Sequence, residues 1–581
     1  MLTYTVSMPE PHTHLFHVEV VIDAVASPHL DLHLPAWTPG SYMIREYARH
    51  VQEFSATGPD GQPLPWRKTA KAVWQVDTEG VAEVRVRYKV YAFEQTVRTS
   101  YLDARHGYFN PGNLCMYLPE RSHAPLIMQV LPAEGWRVST ALEPDGSGPW
   151  CYRASDYDEL VDSPCECGTQ RVLTFSVDGI PHEIAIYGYG NEDEARLLRD
   201  TQRIVEAQRD MFGSLPYPHY LFILHLTDGR GGGLEHRNSV TNMVDRWSFL
   251  PERSYERYLS LTSHELFHVW NVKRLRPAAL GPFDYSQENY TRLIWFVEGV
   301  TSYYDELLLV RGGLMQPERY LERLADEILN LQSQPGRLLQ TLEESSFDAW
   351  IKYYRPDENS ANTSISYYLK GALVSMLLDM QIRRVTEGAH CLDDVVRLLY
   401  QRYPISGPGI PEEGAVLAAV EEIAGEQAGL FRDFFAQMIA GTTELDYSSG
   451  LAVVGLELRW SHRAPRPDGS APAWLGAAFK RKGERTLVSS VRADSPAYSA
   501  GVYAEDELVA LNGWRVDEEQ LQTRLAEYAP GSTVRLSLFR GDALIEVPVT
   551  LTAAPYDRLE VVAVASPTEQ QRGQFQHWMG R

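Results

Sequence analysis

Nowhere in the 581 residues is there a run of eighteen apolar residues, so no segment reads as a membrane span. The opening stretch MLTYTVSMPEPHTHLFHVEV lacks a basic region followed by an apolar one, so no secretory leader is visible in it. Cysteine is scarce. Cys115, Cys151, Cys165, Cys167 and Cys391 make an odd set without a regular framework, which points to reduced thiols and a cytoplasmic setting. A periplasmic or secreted location is the alternative if a leader has been trimmed. Cys165 and Cys167 form a lone C-x-C, half a metal site, and are read as structural. Positive charge is also in deficit: 54 Lys and Arg against 77 Asp and Glu give a net −23. That balance excludes a nucleic-acid backbone as the main partner. It suits a cationic partner, such as a free peptide amino terminus, or simply a solvated acidic surface. Internal repeats are lacking as well.

What is present is enough apolar material, 44% hydrophobic and 11% aromatic, for several ordinary globular domains. Val84, Val86, Tyr88 and Val90 alternate with Glu83, Arg85, Arg87 and Lys89, the pattern of a strand with one buried face. Shorter alternations in HVEVVIDAV and LDLHLPAW extend this texture, and residues 1–170 read as a β-sandwich. A hairpin is expected around Asp178-Gly179, then a helix from Glu192 to about Met211 and a strand in LFILHLTD. Long helical segments carry 251 to about 440, so 171–448 reads as an α+β domain dominated by helices. The segment 459–474 reads as a loop or linker within a further domain, 449–556, and 557–581 as a weakly structured tail.

The chemistry concentrates in His264-Glu265-Leu266-Phe267-His268. On a helix, residues four apart share a face, so both imidazoles can address one metal ion while Glu265 is turned toward a neighbouring water. Zinc held by three protein ligands lowers the pKa of its water to ~7, and an adjacent carboxylate can take the proton during attack on a carbonyl. The third ligand must come from elsewhere. Glu298 lies in the apolar IWFVEGV, where a carboxylate costs several kcal/mol to bury unless it is paired or binds a metal. Asp305 and Glu306 compete on the same segment, about two turns on, and read as solvated or salt-bridged.

HELFHVWNVKRLRP followed by WFVEGVTSYYDE resembles the glycyl aminopeptidase family of zinc peptidases that carry a carboxy-terminal PDZ domain, and more distantly the aminopeptidase N group. The resemblance runs through nearly the whole chain, including PAWTPGSYMIREYARH at 35–50, whose purpose the residues do not disclose. It implies a thermolysin-like catalytic domain, one zinc ion on His264, His268 and Glu298, Glu265 as base, and a preference for small amino-terminal residues such as glycine or alanine. The gap from His268 to Glu298 is longer than in the aminopeptidase N group, so 271–290 is expected to form a loop.

Gly231-Gly232-Gly233-Leu234-Glu235-His236 resembles the G-x-M-E-N motif of aminopeptidases, with Leu234 for methionine and His236 for asparagine. The match implies that Glu235 receives the substrate's amino group while Gly232 and Gly233 let the backbone approach it. The alternative is a plain glycine-rich turn. Tyr-x-Lys-Gly at 368–371 resembles the motif whose tyrosine steadies the oxyanion, which selects Tyr368 over Tyr367; a packed tyrosine is the alternative. SPAYSAGVYAEDELVALNG resembles the PDZ domains of bacterial proteases, which bind an extended peptide at a sheet edge, and Trp474–Ala477 is a candidate carboxylate-binding loop. Such a module can equally be a rigid packing element.

The function expected is a zinc aminopeptidase acting on peptides with a free amino terminus. Its rivals are a zinc endopeptidase that captures substrates by the PDZ domain, and a non-catalytic peptide-binding scaffold stabilised by zinc. Retention of Glu265 speaks against the scaffold, since a structural metal site needs no base.

Overall fold

The computed structural model describes residues 2–427 and 429–580. The chain packs as two compact units. The first runs to Thr291 and adds Tyr304–Met315 and Val396–Ala415; the second holds Arg292–Tyr303, Gln316–Val395 and the chain from Val416 onward.

The first unit begins with the expected β domain. Strand Val84–Tyr91 pairs antiparallel with Leu15–Ile22, setting Val86 against Val20 and Tyr88 against Val18, all buried. They belong to a seven-stranded sheet that shares one core with a three-stranded and a four-stranded sheet. Cys165 and Cys167 are buried in that core, and all five cysteines are free thiols.

A five-stranded sheet follows, made of β1 (Arg171–Val177), β2 (Ile180–Tyr187), β3 (Tyr220–Thr227), β4 (Gly232–Glu235) and β5 (Ser239–Asp245) in the order β1-β2-β3-β5-β4. β1 and β2 form the expected hairpin, with Asp178 and Gly179 both at positive φ (53° and 79°), as a two-residue turn matched to strand twist requires. β2, β3 and β5 are parallel, and β4 lies antiparallel to β5 at the edge. The glycine-rich segment is therefore itself a strand rather than a turn.

Two helices serve this sheet. α1 (Glu194–Phe212) is capped by Asp193, whose carboxylate accepts from the amides of Ala195 and Arg196. α2 (Glu252–Phe267) buries Tyr255, Leu259, Thr262 and Leu266, the 3.6-residue stripe of a core helix. Gln208 of α1 donates to the Ser263 carbonyl at 2.7 Å, and Asn242 of β5 donates to Thr262 at 3.3 Å. Between residues 271 and 290 the chain is loop apart from the short 3-10 turn Ala278–Leu280, as the sequence spacing suggests.

In the second unit Trp295–Gly299 is a π turn that leads into α3 (Val300–Arg311), whose later turns return to the first unit. Beyond it lie α4 (Pro317–Gln332) and α5 (Leu369–Val385). A PDZ-like sheet runs from Ala477 to Thr550 around Val488, Leu508, Leu521, Leu536 and Val549. The weakly structured tail expected from 557 is replaced by ordered elements. Strand Arg558–Ala563 pairs with Leu456–Ser461, so the expected linker is partly sheet. Thr568 then caps helix Glu569–Trp578, whose Trp578 is fully buried and donates to Tyr303 at 2.8 Å. The polar composition of QQRGQFQHW hid a helix held by one large aromatic anchor.

No helix among the described residues is long and apolar enough to cross a membrane.

Candidate metal and substrate site

The HELFH motif spans the last turn of α2, and His268 stands at its carboxyl cap. His264 Nδ1 lies 3.1 Å from Asp305 Oδ2, and His268 Nδ1 lies 2.7 Å from the Asn271 carbonyl. An ionised carboxylate and a carbonyl can only accept, so each Nδ1 carries the proton. In the neutral imidazoles both Nε2 atoms are then lone-pair bearing, and they face one another at 3.2 Å. Two lone pairs at that separation repel unless a cation lies between them. The donor set therefore fits a divalent metal that accepts imidazole nitrogen.

The Asn271 carbonyl is aimed by an unusual turn. Val272 adopts φ 135°, a region costly for a β-branched residue, while the Lys273 amide returns to the His268 carbonyl at 3.0 Å. Neither this turn nor the role of Asp305 was legible in the sequence. Asp305 read as solvated or salt-bridged; the structure shows the paired alternative, with a side chain only 13% exposed and a motif histidine as its partner.

Glu265 is buried beside the edge strand. A Cβ added to Gly233 would stand 2.0 Å from Glu265 Oε1, so only glycine lets β4 pass this close to the carboxylate. Gly232, at φ 136°, needs glycine for its backbone instead. Ligand atoms of Glu235, Glu265 and His268 lie within 4.8 Å of one another, so the end of the edge strand meets the Glu265 carboxylate and one imidazole. Glu235 is buried, and a Cβ on Gly40 would stand 2.5 Å from its Oε1. The 35–50 segment thus walls in the Glu235 carboxylate. Trp37, Gly40, Tyr42, Phe283 and Glu235 line one small cavity together with Asp162.

His236, the departure from the aminopeptidase motif, has a definite partner. Its Nδ1 lies 3.1 Å from Asp162, which also receives Lys273 at 2.7 Å and the Arg237 amide at 2.9 Å. Burial pushes the Asp162 carboxyl up, but Lys273 and His236 outweigh it and hold the group well below the usual carboxylate range. This ion pair ties the strand bearing Glu235 to the turn behind His268.

Glu298 and Tyr368 belong to the second unit. Glu298 is 3% exposed within the π turn, flanked by buried Trp295, Phe296 and Val297. A π turn widens a helix by one residue and is common at functional positions. α5 packs against it through paired glycines, since a Cβ on Gly371 would stand 2.8 Å from Gly299 Cα. The glycine of Tyr-x-Lys-Gly thereby sets Tyr368 beside Glu298. Burial first, and the Glu298 charge second, push the Tyr368 phenol well above its ordinary value, so it stays a hydrogen-bond donor. Tyr367 is fully buried and packs in tilted ring contact with Tyr353 and Tyr368, as a packing residue does.

The chain is similar to known proteins along its length. The model of the Peptidase M61 N-terminal domain matches residues 3–169, that of M61 glycyl aminopeptidase matches 257–374, and a PDZ domain model matches 473–551. The crystal structure of an aminopeptidase N family protein from Idiomarina loihiensis is similar over 100% of both chains, with TM-score 0.91 and 30% identity. A probable periplasmic serine endoprotease, DegP-like, of Brucella suis is 38% identical over 87 residues, 15% of this chain and 16% of its own. Its counterpart in Chlamydia muridarum is 37% identical over 83 residues, 14% of this chain and 17% of its own. The chain thus spans about a sixth of the length of these curated relatives. With the two M61 models matched in order and a solved relative shared from end to end, this chain belongs to the M61 glycyl aminopeptidase family.

Proposed function

We propose that the protein is a zinc aminopeptidase that hydrolyses the first bond of peptides with a free amino terminus. The observation that carries this reading is the clustering of Glu235 with Glu265 and His268. A carboxylate that can hold an ammonium group lies within one residue's reach of the base, so the bond presented for hydrolysis is the first.

His264, His268 and Glu298 would hold the zinc. Support for Glu298 comes from the helix it precedes. Glu298 and Asp305 are seven residues apart on one continuous helical run, hence on the same face and about 10 Å apart along the axis. Asp305 already touches His264. When bound, the ion polarises the substrate carbonyl and acidifies the attacking water. Glu265 takes the proton of that water and passes it to the departing amine. Tyr368 donates to the oxyanion as it forms, in a protonation state kept by burial. Glu235 accepts from the substrate ammonium. The wall of Trp37, Tyr42 and Gly40 beside Glu235 leaves little room, which supports small first residues such as glycine and alanine.

The PDZ-like module reads best as a packing element. Asn362 donates to the Val491 carbonyl at 2.9 Å and accepts from the Ala493 amide at 2.8 Å, both within the second unit. Backbone groups at that end of the strand are therefore already engaged.

The test is hydrolysis of alanyl and glycyl peptides, free and acetylated at the amino terminus, with and without a chelator. Chelator-sensitive cleavage of the free peptides alone is expected. Equal cleavage of acetylated peptides would replace this reading by an endopeptidase, and cleavage of neither by the zinc-loaded protein would replace it by a scaffold.

A further inference from the structure

The edge strand gives the site a direction. Glu235 closes β4, Gly233 abuts the Glu265 carboxylate, and Gly231 and Arg230 precede the start of the strand at Gly232. On the aminopeptidase reading above, a peptide anchored at Glu235 passes its scissile bond at Gly233 and sends its leaving portion toward Arg230. Glu235 to Arg230 is five residue steps, of which the four-residue strand β4 supplies the Gly232–Glu235 part; at about 3.4 Å each they span at most ~17 Å, the reach of four or five substrate residues.

At that end the structure opens into a cavity outside the carboxyl ends of β2, β3 and β5, the usual position of a ligand crevice in sheets with parallel strands. Arg105, Arg171, Arg230 and Arg246 line it, and Asp228 is the single acid among its lining residues. So many cations around one cavity stand out in a chain of net charge −23. Two of the four are committed elsewhere: Arg105 to Asp103, and Arg171 to Glu192 and Glu194. The other two are not. Arg230 has a loose pair with Asp228 at 3.9 Å and reaches Gln95 at 3.5 Å. Arg246 donates its Nε to the Thr227 carbonyl at 3.1 Å and makes no ion pair among the described residues.

We propose that this cavity is a subsite for a carboxylate on the leaving portion of the substrate, received by Arg230 and Arg246 four or five residues from the amino end. Guanidinium groups suit a carboxylate because planar paired donors match its two oxygens. The carboxylate can be the carboxy terminus of a short peptide or the side chain of Asp or Glu at that position; the chemistry is shared.

The test measures kcat/KM of the zinc-loaded, full-length protein on pentaalanine as free acid, on its amide, and on the amide with glutamate at the fifth position. Dialanine amide, which ends short of Arg230, is the reference in every variant. A charge-assisted contact predicts that the acid exceeds the plain amide by about tenfold. The glutamate amide recovers that gain if a side chain serves as well as a terminus. In the double variant Arg230→Gln, Arg246→Gln the acid-to-amide ratio is expected to fall to near one. Equal rates for acid and both amides in the native protein would overturn the subsite, and so would a ratio that survives the double substitution. If dialanine amide itself is not hydrolysed, the aminopeptidase reading falls and the subsite with it; if it is, the subsite stands or falls alone.

Discussion

Asp305 Oδ2 accepts a hydrogen bond from His264 Nδ1 at 3.1 Å, and so decides which nitrogen of that imidazole faces its neighbour His268. A carboxylate in this position raises the basicity of the histidine and fixes its orientation, and loss of such a partner commonly costs 10–100-fold in metal affinity. Asp305→Asn is therefore expected to weaken zinc binding by about that factor. Competition against a graded series of chelators checks it. Unchanged affinity would reduce Asp305 to a structural ion pair.

On the proposed reading, Glu265 serves turnover and not metal binding. It is buried against Gly233, with the edge strand shaped to its carboxylate. Glu265→Gln keeps the volume and removes the base, so zinc content should stay at one ion while kcat falls about 10²–10⁴-fold. Metal analysis and kinetics on the same preparation decide the matter. Full activity in the variant would end Glu265's role as base.

The motif histidines, Glu265 and the strand–helix–strand order around them were readable because they depend on local rules: four-residue spacing on a helix and period-two alternation in strands. The C-x-C pair was read as structural, and both of its thiols are buried, free cysteines in the core of the β domain. What stayed hidden depends on tertiary closure. Asp305 looked like any helix-surface acid until α3 brought it to His264. The 35–50 segment had no visible purpose because Gly40 acts only through contact with Glu235, nearly two hundred residues away. The helix ending at Trp578 is polar along most of its length and is fixed by one buried ring, a signal too sparse for periodicity.

Tyr368 makes a prediction about pH as well as rate. Its phenol is held well above its ordinary value by burial first and by the Glu298 charge second. The donor thus remains protonated through the pH range where a free tyrosine ionises, near ~10. The native kcat profile should show no alkaline fall from this group up to about that pH. Tyr368→Phe should lower kcat by about 10²–10³-fold with a much smaller change in KM, as loss of an oxyanion donor does. A variant with native kcat would make Tyr368 a packing residue like Tyr367.

Lys370, the third residue of Tyr-x-Lys-Gly, links the same motif to stability. It is 1% exposed, its ammonium donates to the Arg337 carbonyl at 3.3 Å, and burial pushes its pKa down to about 8. In the unfolded chain lysine titrates near ~10.4. Between those values the unfolded state holds a proton that the folded state has released, so stability rises with pH across that window. Below pH 8 both states are charged, and the cost of the buried ammonium is felt in full. Lys370→Met removes the titration while keeping most of the volume. The variant is expected to lose the upward slope between about pH 8 and pH 10 and to be at least as stable as the native protein at pH 7. Thermal unfolding of both proteins at pH 7, 8, 9 and 10 measures this. Parallel pH curves would mean that the Lys370 ammonium keeps its ordinary pKa despite its burial, and that the slope has another source.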